Sequence, residues 1–357
     1  MRAGVLLPLG LLGACASDPG VSPAHRERLA RIRDTAAEMG VHNAALIGGI
    51  AVSETNLAHC WSEATYACKG PDSPSCGGPI IAGSADGPCA AMQGGLGLFQ
   101  LDAGTWADTL ATYGDAILTV EGNTAQAVSF VIDKVTRGVA GAPDWLGAAT
   151  WIDGVPLAAD DPVMAQWAQL LACRYNGCCT ASALCAQRAA GYRDHAIELY
   201  RELGAPFWRT DDRCAALPAD GVIDQRTACY VAGGDPRLWH HEAAGYGGAR
   251  DWAMTGTASF ARWILHPRPG RYRIEVYAGG GEAMATYEVT HGGATEAIAI
   301  DQAGATGFVA LGDFDFAGQG DEHVELTAAG APGKQLVFDA VRVTSVTLSD
   351  ARGMLRP

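Results

Sequence analysis

The sequence predicts two domains of different class, an α-helical unit followed by an antiparallel β-sandwich. Up to about residue 210 the chain is Ala-rich, with apolar positions at helical spacing; beyond it, alternation and glycine take over. In 271–278, Tyr272, Ile274 and Val276 alternate with Arg271, Arg273 and Glu275, the pattern of a half-buried strand.

The elements follow in order. Residues 1–15 read as a targeting segment, with Arg2 as its charge, an apolar run over 5–12 and small residues before Cys15. The run is too short to span a membrane. Residues 16–24 form a tether and 25–209 the helical domain, with a helix over 44–51 and a Gly/Pro/Ser-rich insertion over 58–91. The β-sandwich takes 210–345, with further strands over 286–291, 296–301, 307–316, 323–327 and 336–344, and 346–357 form a tail. The segment before Cys15 resembles a bacterial lipobox. That implies acylation of Cys15, a lipid anchor in the membrane and an exported lipoprotein of the cell envelope; Ala16, standing where an aspartate retains inner-membrane lipoproteins, favours the outer membrane or surface. An ordinary secretory signal with an incidental cysteine is the alternative.

Eleven cysteines less Cys15 leave ten, an even number suited to disulfides in an oxidising compartment. They group as Cys60, Cys68, Cys76 and Cys89 in the insertion, Cys173, Cys178, Cys179 and Cys185 further on, and Cys214 with Cys229. Pairings within each group of four stay open. No CxxC pair occurs, so no metal is assigned.

Glu54 is the leading catalytic candidate. It ends an uncharged run over 39–53, and Ile47, Ile50 and Ala51 share its side of the helix. Apolar neighbours and the negative end of a helix dipole both disfavour the carboxylate, so its pKa should rise, as a sugar-cleaving general acid requires. Downstream, Gly94, Gly95 and Gly97 permit a sharp turn anchored by Leu96, Leu98, Phe99 and Leu101, and Gln100 is its one polar side chain. An amide there can both donate to and accept from an N-acetyl sugar. Arg174-Tyr175-Asn176-Gly177 follows at a distance.

Taken together, Glu54-Thr55, Gly97-Leu98-Phe99-Gln100 with Thr105, and Arg174-Tyr175-Asn176-Gly177 resemble, in order, the motifs of the soluble lytic transglycosylase and goose-type lysozyme superfamily over about residues 28–205. The resemblance implies a lysozyme-like fold, with helices over 123–135 and 192–203, Glu54 as sole acid and base, Gln100 and Phe99 in the substrate-contacting turn, Tyr175 near the developing oxocarbenium charge, and Asn176 as a brace. Thr55 for the usual Ser, Ala91 for a Ser found in many members, and the insertion depart from the pattern. With no second carboxylate in the motifs, the resemblance implies intramolecular cleavage of the MurNAc-GlcNAc β-1,4 bond to a 1,6-anhydro product. Asp102 and Asp86 are the candidates to hold a water if the outcome is hydrolysis.

The second half resembles the golvesin C-terminal-like or xanthan-lyase carbohydrate-binding-like domain over about 214–345. Gly245-Tyr246-Gly247-Gly248, Ala261-Arg262-Trp263, Pro269-Gly270-Arg271-Tyr272, Tyr287-Glu288-Val289, Ile300-Asp301-Gln302, Leu311-Gly312 and Phe338-Asp339-Ala340-Val341 carry that likeness. Trp239, Trp252 and Trp263 are candidates to stack on sugars, with the core as the commoner place for tryptophan in a small sandwich; His240-His241 is a weak metal pair.

Net charge is −14, from 25 basic and 39 acidic residues without a basic cluster, which argues against nucleic acid as partner. No cofactor is implied. The expected partner is peptidoglycan or a related glycan. A hydrolytic muramidase or chitinase-like lysozyme is one alternative; a non-catalytic glycan-binding surface lipoprotein is the other.

Overall fold

The structure, a computed structural model, describes residues 21–57, 95–104, 106–210 and 214–346. Cys15, Cys60, Cys68, Cys76, Cys89, Asp86, Ala91, Gly94 and Thr105 lie outside the described residues, as does the tail after 346.

The first unit is helical: α1 (Pro23–Glu38), α2 (Ala44–Thr55), α3 (Trp106–Tyr113), α4 (Val120–Gly138), α5 (Trp145–Asp153), α6 (Pro162–Leu170), α7 (Ala183–Leu203) and the short α8 (Ala205–Trp208). Local chemistry starts and stops these elements. Ser22 accepts from the His25 N–H at 3.2 Å ahead of Pro23, so α1 begins inside the expected tether. Thr119 caps α4 and Ser182 caps α7, while Gly204, at φ +77°, ends α7. Helix α7 therefore starts well before the expected 192: its first turns are polar and Ala-rich and show little apolar periodicity, but the Ser182 cap sets their beginning.

Helix α2 is apolar nearly all round, which suits a central buried helix. It packs against α1 and α7, and its Leu46, Ile47 and Ile50 join Leu29, Ile32, Val128, Val131, Trp167 and Tyr192 in one core.

The second unit is antiparallel β structure in three sheets. Strands β1 (Val222–Ile223), β12 (Val341–Ser345), β6 (Gly270–Tyr277) and β9 (Phe308–Phe316) form one; β2 (Tyr230–Gly233), β5 (Phe260–Ile264), β10 (His323–Thr327), β7 (Met284–His291) and β8 (Ala294–Asp301) form the second; β11 (Gln335–Phe338), β4 (Arg250–Met254) and β3 (His240–Glu242) form the third. Their inward faces meet in a common core that includes Trp263, Ile274, Val276, Tyr287, Val289, Val324, Leu326, Phe338 and Val341. The run over 336–344 is not one strand. Asp339 and Ala340 interrupt it, and the two halves pair with different partners, β11 with β4 and β12 with β1 and β6.

Among the described residues, three disulfides join Cys173 to Cys179, Cys178 to Cys185 and Cys214 to Cys229. They mark a protein that matures in an oxidising, extracytoplasmic setting. No helix among the described residues is long and apolar enough to cross a membrane.

Candidate functional site

The position of Glu54 is set by two glycines one and a half turns earlier. A Cβ on Gly49 would stand 2.8 Å from the Ala196 backbone nitrogen, and one on Gly48 3.2 Å from the Leu199 side chain, so α2 lies against α7 closer than a larger residue at Gly49 allows. That approach brings Glu54, in the last turn of α2, to Tyr192 of α7, whose hydroxyl donates to Glu54 Oε1. The Asn176 side chain lies near enough to the Tyr192 hydroxyl to favour its ionised form slightly.

Glu54 is half-buried. Loss of solvent raises its pKa above the usual carboxylate range, and this outweighs the Tyr192 hydroxyl and the Arg188 guanidinium, which favour the charged form. The phenols of Tyr175 and Tyr192 are pushed well up, by burial first and then by the Glu54 charge, so both keep their protons and act as donors.

The glycine turn is locked from three sides. Leu96 and Leu101 exchange backbone hydrogen bonds of 2.8 and 3.2 Å across it. Buried Asn123 donates to the Leu96 and Ile117 carbonyls, each at 3.1 Å, and accepts from the Phe99 N–H at 3.1 Å. Gly97, at φ +73°, has no room for a side chain, because a Cβ there would sit 2.3 Å from Asn123 Nδ2. Thr55 Oγ1 lies 3.0 Å from the Leu98 carbonyl, and the Tyr175 hydroxyl donates to the Phe99 carbonyl at 2.5 Å. The turn is thus tied directly to the residue after Glu54 and to Tyr175.

Tyr175 closes a π-helical turn, Leu171–Tyr175, in which the Asn176 N–H reaches the Leu171 carbonyl at 3.1 Å. Such turns concentrate at functional sites. The two short disulfides interlock just behind it and fasten the Tyr-Asn segment to the start of α7. Tyr175 also packs edge-on against Phe130 at 5.3 Å and against Tyr192 at 6.4 Å between ring centres.

Three non-glycine residues around this cluster, Asn56, Leu57 and Gln100, hold left-handed backbone at φ +50°, +63° and +50°. Conformations of this kind cost free energy and persist where surrounding structure enforces them, often at functional sites.

The structure therefore brings together Glu54, Tyr175 and Asn176, with the turn bearing Gln100 alongside. Two expected roles change. The Phe99 ring is fully buried among core residues and cannot touch a ligand; its contribution is the carbonyl that holds Tyr175. Gln100 donates its amide N–H back to the Gly97 carbonyl at 3.0 Å, so that half of the amide braces the turn instead of facing a sugar. Asp102 is exposed and accepts from the Gly104 N–H at 2.8 Å. Tyr192, which sequence reasoning placed only as a helix start, proves to be the direct partner of Glu54. No local sequence signal marks that contact, which spans 138 residues.

In the β unit, the motif residues serve architecture. Gln302 is buried and bonds both the Val337 carbonyl, at 2.8 Å, and the Val337 N–H, at 2.9 Å. Asp339 accepts from the Tyr246 N–H at 3.1 Å, and a Cβ on Gly245 would collide with its carboxylate at 2.1 Å. Burial raises the Asp339 pKa to about 7. Trp263 is in the core; Trp252 stacks on His240 at 3.8 Å, and Trp239 donates to the Gly233 carbonyl at 3.1 Å. His241 pairs with Asp251 at 2.6 Å.

This two-unit chain, helical then antiparallel β, can be set beside known proteins. Residues 226–345 match the Golvesin C-terminal domain. No curated protein matches the chain. Among solved structures, a Paenibacillus xanthan lyase is 22% identical with a TM-score of 0.32, the match covering 35% of this chain and 13% of that one. TmCBM61, solved in complex with β-1,4-galactotriose, is 12% identical with a TM-score of 0.27, covering 37% and 92%. The 4-O-methyl-α-glucuronidase BtGH115A is 14% identical with a TM-score of 0.20, covering 63% and 32%. The chain spans a small fraction of the xanthan lyase, and at these scores none of the three structures carries a role across.

Proposed function

We propose that the helical unit cleaves the MurNAc-GlcNAc β-1,4 bond of peptidoglycan as a lytic transglycosylase, with the β unit holding the enzyme on glycan. One observation carries the reading: a half-buried carboxyl of raised pKa, Glu54, is hydrogen-bonded by a phenol and bordered by a rigid glycine turn and a second tyrosine. The carboxyl, the glycine turn and Tyr175 are parts that the resemblance to lytic transglycosylases and goose-type lysozymes implies, and Glu54 and Tyr175 come from segments more than a hundred residues apart.

In this mechanism Glu54 gives its proton to the bridging oxygen as the C1–O bond breaks. The carboxylate so formed takes the proton of the muramyl 6-hydroxyl, whose oxygen bonds to C1. The result is a 1,6-anhydro end without uptake of water. Tyr175 and Tyr192, both kept protonated, supply fixed dipoles beside the charge that develops. The exported setting agrees with a cell-wall substrate, and the acylated Cys15 expected from the sequence would keep the enzyme at the envelope.

Incubating purified sacculi with wild type and with Glu54→Gln tests this reading. Soluble muropeptides from wild type and none from the variant are expected; equal release by the two removes Glu54 from the mechanism.

A further inference from the structure

A cavity of about 710 Å3 lies on the seam between the two units. The seam is a packed one: Trp145 of α5 meets Phe260 of β5 edge-on at 6.2 Å, and Arg237 donates to the Thr112 carbonyl at 3.1 Å. None of the residues lining the cavity belongs to Glu54's site.

Its β-side wall carries an ordered polar array. Asp251, buried on β4, accepts from the Tyr230 hydroxyl at 3.3 Å and bonds His241 Nδ1 at 2.6 Å. The Trp239 indole is held by its bond to the Gly233 carbonyl and by packing at 4.7 Å on Phe338, so an aromatic surface stands fixed beside that array. Gln225 also lines the cavity, and its amide nitrogen and oxygen are both buried without a protein partner. A fold retains such a group at a cost, and a wall that borders an open volume is where a ligand can offset it.

The charges select the ligand. Charge on the cavity wall is largely paired: Asp34 with Arg33 at 2.6 Å, Asp251 with His241 and Arg226 with Asp224. A ligand without net charge fits such a wall. What suits fixed aromatic surface, a carboxylate-backed imidazole and an amide wanting both a donor and an acceptor is a neutral polyhydroxylated ring, and the volume falls in the usual range for small-ligand sites.

We propose that this seam cavity binds a neutral saccharide of one or two rings, with Trp239 against its C–H face and His241, Tyr230 and Gln225 on its hydroxyls. The proposal deepens the glycan-holding role given to the β unit and is independent of cleavage at Glu54.

Calorimetric titration of the full, disulfide-intact chain with cellobiose, β-1,4-galactobiose and chitobiose tests it. At least one should bind, at least tenfold more weakly in His241→Ala and Tyr230→Phe. Gln225→Leu separates recognition from folding: deleting an unpaired buried amide should keep or raise the unfolding temperature while weakening the sugar at least tenfold. Absence of binding across the three sugars overturns the proposal. So does binding that survives all three cavity substitutions, or displacement of the sugar by tetramethylammonium, which would assign the aromatic and acidic wall to a cation. Sacculus digestion reads the Glu54 site separately, so either reading can fail alone.

Discussion

Each unit holds a carboxyl against a tyrosine hydroxyl, and the two pairs are built for different ends. Asp251 is deeply buried and takes two donors, Tyr230 and His241, one on each oxygen. Glu54 is half-buried at the end of a helix, and among the described residues the Tyr192 hydroxyl and the Arg188 charge favour its ionisation, less strongly than burial opposes it. A carboxyl with both oxygens engaged is a scaffold. One whose desolvation outweighs its donors holds a proton that it can give away.

The largest expected effect breaks this contrast at its centre: Glu54→Gln should lower muropeptide release by roughly 10²–10⁴-fold, the usual contribution of a positioned general acid. Next comes the frame. Gly97→Ala drives a methyl into Asn123 at a left-handed position, and should destabilise the helical unit by about 2–4 kcal/mol in urea unfolding. An unchanged midpoint would mean that the turn is not rigid.

The third prediction concerns the β unit. Asp339 has its pKa raised to about 7, from an unfolded value of 3.8, so its stabilising protonated form is fully present below 3.8 and lost as pH rises toward 7. Stability of wild type should fall over that window by on the order of 3 kcal/mol, and Asp339→Asn should flatten the fall. A profile that is equally steep in the variant would assign the dependence to another group.

The smallest effect sharpens the Glu54 pair. The Tyr192 hydroxyl favours the carboxylate, so Tyr192→Phe should raise the Glu54 pKa further and move the alkaline limb of kcat/KM to higher pH, with a rate loss of about tenfold at the optimum. A limb that moves down instead would show that the hydroxyl stabilises the protonated acid.

Much of this was legible in the sequence because it rests on local pattern. The change of class near residue 210, the body of the helix that carries Glu54 in its last turn, and most of the strands were readable from periodicity and turn residues. Contacts made by long-range packing were not. Tyr192 sits 138 residues from Glu54, and nothing local marks it as the partner; the close approach that joins them depends on Gly48 and Gly49, which in sequence read only as weak helix formers. Phe99 shows the converse. Its place beside Gln100 suggested a ligand contact, yet its ring was needed by the core and only its carbonyl serves the site. In the β unit, the apolar run over 336–344 hid a change of sheet at Asp339, because two short buried strands joined end to end have the same composition as one long strand.

The mass of the fragments that wild type releases from purified sacculi tests the central claim most directly. Intramolecular attack driven by one carboxyl predicts muramyl ends lighter by one water than the hydrolytic product. Fragments of full hydrolytic mass, or sacculi left intact, would contradict it.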